Sequence, residues 1–271
     1  MVFTHHINPV AFTIFGYIQI RWYGLAYLAG FICAWLLGKS RLKEAGLNKD
    51  QFVDLLSQVA FGLLIGGRLG YMILYKTQHT INHPLSVLQI WEGGMSFHGG
   101  IIGGMVALLL YCRKHNLSTY KLMDFIGPLI PPGLFFGRLG NFINGELWGR
   151  PTGHDWGVIF PMVDQQPRHP SQLYEMIGEG MLLFWLMSHH QSKAQSNPHT
   201  TNAGIVFCYH YAWIRFLIEF MREPDYDIGY LGSFSLTMGQ ILSLAMLAVA
   251  ILVNQFPINS KKTATELRTQ K

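Results

Sequence analysis

The chain has 271 residues, of which 50% are hydrophobic and only 13% are charged, and its formal net charge at pH 7 is +5. A soluble domain of this length needs more charge on its surface, so the composition favours an integral membrane protein. The basic pI near 9.1 does not indicate a nucleic-acid partner, because the Lys and Arg residues lie mainly between apolar segments and form no basic stripe.

A membrane-spanning helix needs roughly 20 mostly apolar residues. Seven segments meet this requirement: 18–38, 54–75, 96–112, 121–139, 171–188, 204–221 and 235–255. The fourth contains Pro128, Pro131 and Pro132 and is predicted to be kinked or broken. Residues 1–17 have no basic region before an apolar run, so we expect no cleaved signal peptide and place them along the membrane interface. The predicted fold is therefore an all-α polytopic membrane protein with about seven transmembrane helices.

The distribution of basic residues predicts the orientation, because cytoplasmic loops are enriched in Lys and Arg. With the N-terminus outside, twelve of the 20 basic residues fall on the cytoplasmic side: Lys39, Arg41, Lys43, Lys49, Arg113, Lys114, Lys121, Lys193, Lys261, Lys262, Arg268 and Lys271. The outer loops then hold only Lys76, Arg150, Arg168 and Arg222. We predict an N-out, C-in topology. Residues 1–260 would form one transmembrane catalytic domain with an outer loop at 140–170, and 261–271 a basic cytoplasmic tail.

Small residues recur at helical spacing in two spans. Glycines repeat every four residues in the second span and again in the third: Gly62, Gly66, Gly70, Gly99, Gly100, Gly103 and Gly104. Such spacing lets helix backbones approach closely in lipid, so these glycines are interpreted as packing residues. The cysteines, at positions 33, 112 and 208, have no ligand-type spacing, so neither a disulfide nor a metal site is predicted.

Four arginines lie within or at the edge of spans: Arg21, Arg68, Arg138 and Arg215. A central arginine costs about 2.5–3.5 kcal/mol on insertion scales, so each needs a partner, a cavity or a route to the interface. Arg21 is expected to snorkel. Arg68 can be structural, paired with Asp54 or Glu92, or functional. Arg138 lies close to three prolines, where no structural partner is evident, and this favours a functional role.

Polar residues of the sixth span share one helix face, because Tyr211, Arg215 and Glu219 recur every four residues and Arg222 follows. Given the predicted orientation, these residues and the other intramembrane arginines converge on the outer half of the membrane. This pattern predicts one cationic cavity open to the outer leaflet. Guanidinium groups bind phosphate bidentately, so the expected ligand is an anionic lipid head group. His98 is either a hydrogen-bonded interior residue or a proton-transfer group.

Several sequence runs together resemble those of the prolipoprotein diacylglyceryl transferases. The most specific run is GRLGNFINGELWG at 137–149, and it is accompanied by RWYG at 21–24, GGMSFHGG at 93–100, RHPSQLYE at 168–175 and the stretch 215–224. They cover nearly the whole chain in matching order.

The resemblance implies a bacterial inner-membrane enzyme with several spans and an active site that faces the periplasmic leaflet. Such an enzyme transfers the diacylglyceryl group of phosphatidylglycerol to the lipobox cysteine thiol in the signal peptide of a prolipoprotein. A thioether forms and glycerol phosphate leaves, in the first step of lipoprotein maturation. Its partners are phosphatidylglycerol, the prolipoprotein and membrane lipids, and it uses no metal or dissociable cofactor.

The resemblance also implies roles for particular residues. Arg138 and Arg215 would hold the phosphate, and His98 would assist deprotonation of the thiol, although an arginine-rich field alone can lower a thiol pKa. A second group would orient the head group or the arginines: Tyr23, Asn141, Asn144, Glu146, Tyr211, Glu219 and Arg222. Gly149 would leave backbone room near the lipid.

Three other classes of protein compete with this interpretation. A transporter or flippase would carry polar residues through the full membrane thickness and an internal repeat, and neither is evident. An intramembrane hydrolase would need a string such as GxSxG or HExxH, and none occurs. A non-catalytic protein that binds anionic lipid fits the same residues, and loss of turnover on substitution of His98 would separate it from an enzyme.

Overall fold

The computed structural model describes residues 2–74, 76–89, 94–196, 201–224, 229–231 and 235–255; within these ranges the side chains of residues 74, 97, 98 and 194–196 are not described. By its internal contacts the chain forms two compact units. The first comprises Met1–Leu37 and Met123–Lys271, and the second comprises Gly38–Leu122. The predicted boundary between a catalytic domain and a tail at 261 lies outside the described residues and stays a prediction.

Helices dominate the described chain. They are α1 (Trp22–Lys39), α2 (Leu42–Ala45), α3 (Lys49–Leu74), α4 (Thr77–Asn82), α5 (Phe97–His115), α6 (Thr119–Ile126), α7 (Ile130–Asn144), α8 (Ser171–Glu175), α9 (Leu183–Ser196), α10 (Ala203–Ile218) and α11 (Met238–Gln255). Two short 3₁₀ turns, Pro84–Leu88 and Gly127–Leu129, and one π-helical segment, Met176–Leu182, complete the helical structure. Each of the seven predicted segments overlaps one or more of these helices.

Two described helices are long and apolar enough to cross a membrane, over Lys49–Ile73 and Met238–Gln255, and the apolar helix Ala203–Ile218 is shorter. Only 22% of the first apolar window and 17% of the second are buried within the protein. Core helices of soluble proteins bury most of their apolar surface, so these two helices need an apolar environment outside the protein. Together with the apolar composition, this exposure favours a membrane protein.

The predicted break in the fourth segment is confirmed. Helix α6 ends at Ile126, a 3₁₀ turn follows at Gly127–Leu129, and α7 begins at Ile130. A proline lacks the N–H that would continue an α-helix, and the prolines fall where the helix is interrupted and where it restarts. Helix α7 ends at Gly145, which has a φ of 68° and forms a left-handed C-cap.

The prediction of an all-α chain is wrong in detail, because the described residues include three two-stranded sheets. Strand β1 (Val2–Thr4) pairs in parallel with β4 (Gly157–Ile159). The other two sheets are antiparallel and join β2 (Val10–Ile14) to β3 (Ile18–Arg21) and β5 (Tyr230–Leu231) to β6 (Leu236–Thr237). The first predicted span therefore begins as a strand at 18–21, since alternating residues around the Gly16 turn favour a hairpin.

The glycines of the second unit pack helix against helix, as predicted. A Cβ at Gly66 would overlap the carbonyl oxygen of Gly99 and lie 2.7 Å from the Cα of Gly103. Helices α3 and α5 therefore approach with backbone against backbone, which only glycine permits.

Candidate active site

Three arginines and three glutamates of the first unit form one buried cluster, which we call the arginine–glutamate network. Its members are Arg138, Glu175, Glu179, Arg215, Glu219 and Arg222. They come from α7, from α8 and the π-helical segment that follows it, from α10 and from the turn after α10. Residues up to 84 positions apart in the sequence are thus brought together by helix packing.

Arg138 on α7 is held by two acids of the fifth predicted span. Its Nε and Nη2 both donate to Oε2 of Glu179 at 3.1 Å, and its Nε lies 3.0 Å from Oε2 of Glu175. The expectation that Arg138 lacks a structural partner is therefore wrong. Among the contacts of the described residues, none involves its Nη1, and the side chain keeps 13% of its exposure.

Arg215 on α10 shares these acids with Arg138. Its Nη1 forms an ion pair with Oε1 of Glu175 and lies 3.7 Å from Oε1 of Glu179. Its Nη2 lies 2.6 Å from Oε2 of Glu219, one helical turn away, so two residues predicted to share a helix face form an ion pair. Two arginines and two glutamates thus form a closed ring of ion pairs.

The remaining members extend the ring towards the end of α10. Arg222 Nη1 donates to Oε1 of Glu175 at 3.1 Å, and its Nε lies 3.9 Å from Oε2 of Glu219. Oε1 of Glu219 accepts a hydrogen bond of 2.9 Å from the hydroxyl of Thr237. A Cβ at Gly239 would lie 2.5 Å from this carboxylate oxygen, so Glu219 packs against the first turn of α11. The N-terminus of a helix favours a negative charge at that place.

The network is balanced in formal charge, because three guanidinium groups face three carboxylates. Glu175 and Glu179 are fully buried, and the side chain of Glu219 keeps only 5% of its exposure. Transfer of such groups from water costs several kcal/mol per ion, and mutual pairing offsets this cost. The expected cationic cavity is thus replaced, among the described residues, by arginines whose charge is matched one for one. An incoming anion would add to a neutral cluster.

A second polar cluster caps the C-terminal end of α7. Asn141 Nδ2 donates to Oε1 of Glu146 at 2.8 Å, and Asn144 Nδ2 lies 3.4 Å from the same oxygen. The buried Gln172 donates to the backbone carbonyl of Glu146 at 2.7 Å. Gly145 turns the chain so that Glu146 folds back over the last helical turn. The structure therefore brings together three of the residues to which the family resemblance assigned orientation of the head group or the arginines.

Gly149 lies where three chain segments meet. Its N–H donates to the carbonyl of His169 at 2.9 Å, and it forms an isolated antiparallel bridge with Arg222. A Cβ at this position would lie 2.5 Å from the carbonyl oxygens of His169 and Met221. The space beside Gly149 is thus occupied by backbone.

An ion-pair cluster fixes the long loop that was predicted to lie outside. Arg168 Nη2 lies 2.6 Å from Oδ2 of Asp164, and its Nη1 lies 3.1 Å from Oε2 of Glu223. The hydrogen bond from Arg168 lowers the pKa of the Asp164 carboxyl from its ordinary value. Burial of the imidazole lowers the pKa of His169, and the neighbouring His154 lowers it further.

The two tyrosines predicted to bind substrate have different surroundings. The Tyr23 hydroxyl lies 3.1 Å from that of Tyr27, and its ring packs against Gly140, whose Cβ would lie 2.9 Å from it. Tyr211 is buried in an apolar cluster with Leu183 and Met187, on the same α10 face as Arg215.

Two further predicted residues belong to the second unit. The side chain of His98 lies outside the described residues, so its proposed role is untested. Arg68 is buried and donates to the backbone carbonyls of Ser86 at 2.7 Å, Val87 at 3.1 Å and Gly94 at 3.3 Å. Its considered partner Glu92 also lies outside the described residues.

Within the described ranges, no group of three or more His, Cys, Asp or Glu residues is arranged to hold a metal ion.

The family model for prolipoprotein diacylglyceryl transferase matches residues 9–255. The chain belongs to this family. It is 50% identical over 248 residues to the phosphatidylglycerol–prolipoprotein diacylglyceryl transferase of Legionella pneumophila strain Corby, covering 91% of this chain and 95% of that protein. The proteins of the same name from Oleidesulfovibrio alaskensis and Xanthomonas euvesicatoria pv. vesicatoria are 46% and 44% identical, and the matches cover 97% and 93% of this chain and 97% and 92% of those proteins.

Two residues of the arginine–glutamate network in this diacylglyceryl transferase family member were not predicted from the sequence. Glu175 belongs to a run that carries the resemblance but received no role, and Glu179 was not considered. A signal for both exists in the sequence, because they are acids four residues apart in an otherwise apolar segment. A buried carboxylate is as costly in a membrane as a buried arginine, so counting intramembrane acids beside the arginines would have found them.

Proposed function

We propose that this chain transfers the diacylglyceryl group of phosphatidylglycerol to the lipobox cysteine thiol of prolipoproteins, forming a thioether and releasing glycerol phosphate. The named relatives support this activity through 44–50% identity over most of the chain. The structural observation that carries the proposal is the buried network around Arg138 and Arg215. It supplies oriented guanidinium groups of the kind that binds phosphate.

Arg138 is the better placed of the two arginines for the phosphate. Its Nη1 has no contact among the described residues, whereas Nε and Nη2 are fixed by Glu179 and Glu175. Two N–H groups therefore stay available to a phosphate oxygen while the rest of the guanidinium is held rigid. Arg215 has both terminal nitrogens paired with glutamates, so it would hold the phosphate together with Arg138 only by sharing an N–H group with these acids.

The chemistry follows from the substrates. The peptide thiolate attacks the alkyl carbon of the lipid, the C–O bond to phosphate breaks, and glycerol phosphate takes the electron pair. The thiol has an ordinary pKa near 8.5, so either a base or a positive field must assist loss of its proton, and the family resemblance assigns the role of base to His98. Negative charge grows on the leaving phosphate, where preorganised N–H donors lower the barrier.

The cluster at the end of α7 and the nearby tyrosines complete the proposed site. Asn141, Asn144 and Glu146 would orient the head group, and Tyr23 would assist them. Tyr211, Glu219 and Arg222 would act through the arginines, because Glu219 and Arg222 contact the network. Gly149 would allow the close backbone contacts at the loop junction beside Arg222. This role replaces the earlier expectation that Gly149 leaves open room near the lipid.

For topology we propose about seven spans in the bacterial inner membrane, N-out and C-in, with the network in the outer half. The test is labelling of intact cells with a membrane-impermeant maleimide. An introduced His154→Cys in the outer loop should react, and Lys193→Cys should react only after lysis; the unsubstituted protein, with its three cysteines, sets the background. The opposite pattern would reverse the orientation.

The activity is tested by reconstituting the purified protein with phosphatidylglycerol and a lipobox peptide, and measuring the diacylglyceryl thioether by mass spectrometry. The product should disappear with a Cys→Ser peptide and with the Arg138→Ala variant. Lipid binding without product, across several peptides, would favour the alternative of a non-catalytic anionic-lipid-binding protein.

A further inference from the structure

Glu179 differs from the other acids of the network in its backbone conformation. It lies in the π-helical segment Met176–Leu182, between α8 and α9. Such wide turns are rare, and when they interrupt an α-helix they are frequently found at functional sites. Glycines flank the residue on both sides, at 178 and 180.

These glycines allow the π-helical segment to fit between two helices. A Cβ at Gly180 would lie 2.6 Å from the Cβ of Phe135 on α7. A Cβ at Gly178 would lie 2.7 Å from Cγ2 of Ile214 on α10. The backbone around Glu179 is therefore in direct contact with the two helices that carry Arg138 and Arg215.

The carboxylate of Glu179 is divided between these arginines. Oε2 accepts both hydrogen bonds from Arg138, whereas Oε1 forms no hydrogen bond and lies 3.7 Å from Nη1 of Arg215. Because Nε and Nη2 both point at one acceptor oxygen, that oxygen lies opposite Nη1 across the guanidinium, an alignment that a single hydrogen bond would not impose. Glu179 therefore sets the direction in which the open Nη1 points.

We infer that Glu179 is a positioning residue for the transfer reaction, which orients the guanidinium of Arg138 so that Nη1 meets the phosphate as charge develops on it. The inference rests on the proposed role of Arg138 in phosphate binding. Glu179 itself is fully buried, so it would act through Arg138 and not on the substrate directly. Its effect is expected on the transition state, because the positive charge of Arg138 would still attract the ground-state lipid when its direction is lost.

The test uses the full-length protein in phosphatidylglycerol-containing vesicles with two variants of Glu179. Glu179→Gln keeps the shape and removes the charge, and we expect kcat per folded protein to fall about 10- to 100-fold while the KM for lipid changes less than about threefold. Glu179→Asp keeps the charge but shortens the side chain by one methylene. It should recover the thermal stability of the protein and leave kcat low.

The matched control is Glu44→Gln, which removes an acid paired with Arg41 at 2.9 Å in the second unit and should keep wild-type kcat and KM. The inference is overturned if Glu179→Gln retains kcat within about twofold, or if Glu179→Asp restores kcat together with stability, because a counter-charge alone would then be sufficient. It is also overturned if the losses vanish when rates are expressed per folded protein. An inactive wild-type protein would overturn the proposed function and this inference together, whereas an active wild type with unaffected variants overturns the inference alone.

Discussion

Arg138 and Glu179 are 41 positions apart in the chain and meet through two hydrogen bonds of 3.1 Å to a single carboxylate oxygen. Both side chains lie in the interior, with 13% and 0% of their exposure remaining. In this setting the pair stabilises the packing of α7 against the fifth predicted span and also fixes the guanidinium. Loss of either partner would leave a buried charge, at a cost of about 3–5 kcal/mol.

Replacement of Arg138 by lysine is expected to lower turnover about 100-fold or more. An ammonium group is a point charge and cannot contact Glu179, Glu175 and a phosphate in one plane. Steady-state rates of thioether formation in vesicles measure the effect. Arg113→Lys, at the exposed end of α5, is the matched control and should keep its activity. A kcat for Arg138→Lys within threefold of wild type would show that the reaction does not require the planar guanidinium group at this position.

Gly149→Ala should destabilise the loop that follows α7 and reduce activity. The added Cβ would lie 2.5 Å from two carbonyl oxygens, so the His169 or Met221 backbone must move. We expect a loss of about 1–3 kcal/mol in the free energy of unfolding, with faster amide hydrogen exchange at the loop junction. Unchanged amide hydrogen exchange between residues 148 and 169 would show that the loop junction accommodates the added methyl group without destabilisation.

Gly66→Ala tests the packing of α3 on α5. Its Cβ would overlap the carbonyl oxygen of Gly99 and lie 2.7 Å from the Cα of Gly103, and backbone atoms cannot rotate away. The expected loss is about 1–3 kcal/mol in the free energy of unfolding, measured by denaturant titration in detergent. Gly137→Ala is the control for stability, since its Cβ would meet nothing within 4 Å. Equal stability of the two variants would contradict the close approach.

The loop between residues 150 and 169 should loosen in acid. Because the native pKa of Asp164 is held below its unfolded value by Arg168, its contribution to stability is present above the unfolded pKa, about 3.9, and is lost as the pH falls through the lower native pKa. Limited proteolysis between residues 150 and 169 should accelerate over that acidic range. Asp164→Asn should show the faster cleavage already at neutral pH and lose this part of the pH dependence. If both proteins gave the same profile, the Asp164–Arg168 pair would not stabilise the loop.

The sequence predicted much of the helical framework for identifiable reasons. Apolar length located a helix in each of the seven segments, and the prolines at 128, 131 and 132 predicted the break before α7. The spacing of Tyr211, Arg215 and Glu219 correctly placed two ion-paired residues on one face of α10. These features depend on local periodicity and on backbone chemistry, which neighbouring residues determine.

The sequence interpretation failed where partners come from distant segments. The acidic partners of Arg138 were not predicted, because Glu175 and Glu179 follow a long loop that separates them from Arg138 in the sequence. Glu179 also lies in a π-helical segment, which no local sequence pattern indicated. The N-terminal strand at 18–21 was assigned to a helix because its apolar residues continue directly into α1. An apolar run does not by itself distinguish a strand from the start of a helix.

The sequence by itself determined the membrane class, the approximate position of the helices and the family, because composition, apolar length and specific residue runs are properties of the chain alone. Only the tertiary structure decided that three arginines are matched by three glutamates, and that one oxygen of Glu179 accepts both hydrogen bonds from Arg138. Charge balance inside a membrane protein depends on which helices pack together, and ion-pair geometry depends on where each side chain points. Neither is encoded at a fixed spacing along the chain.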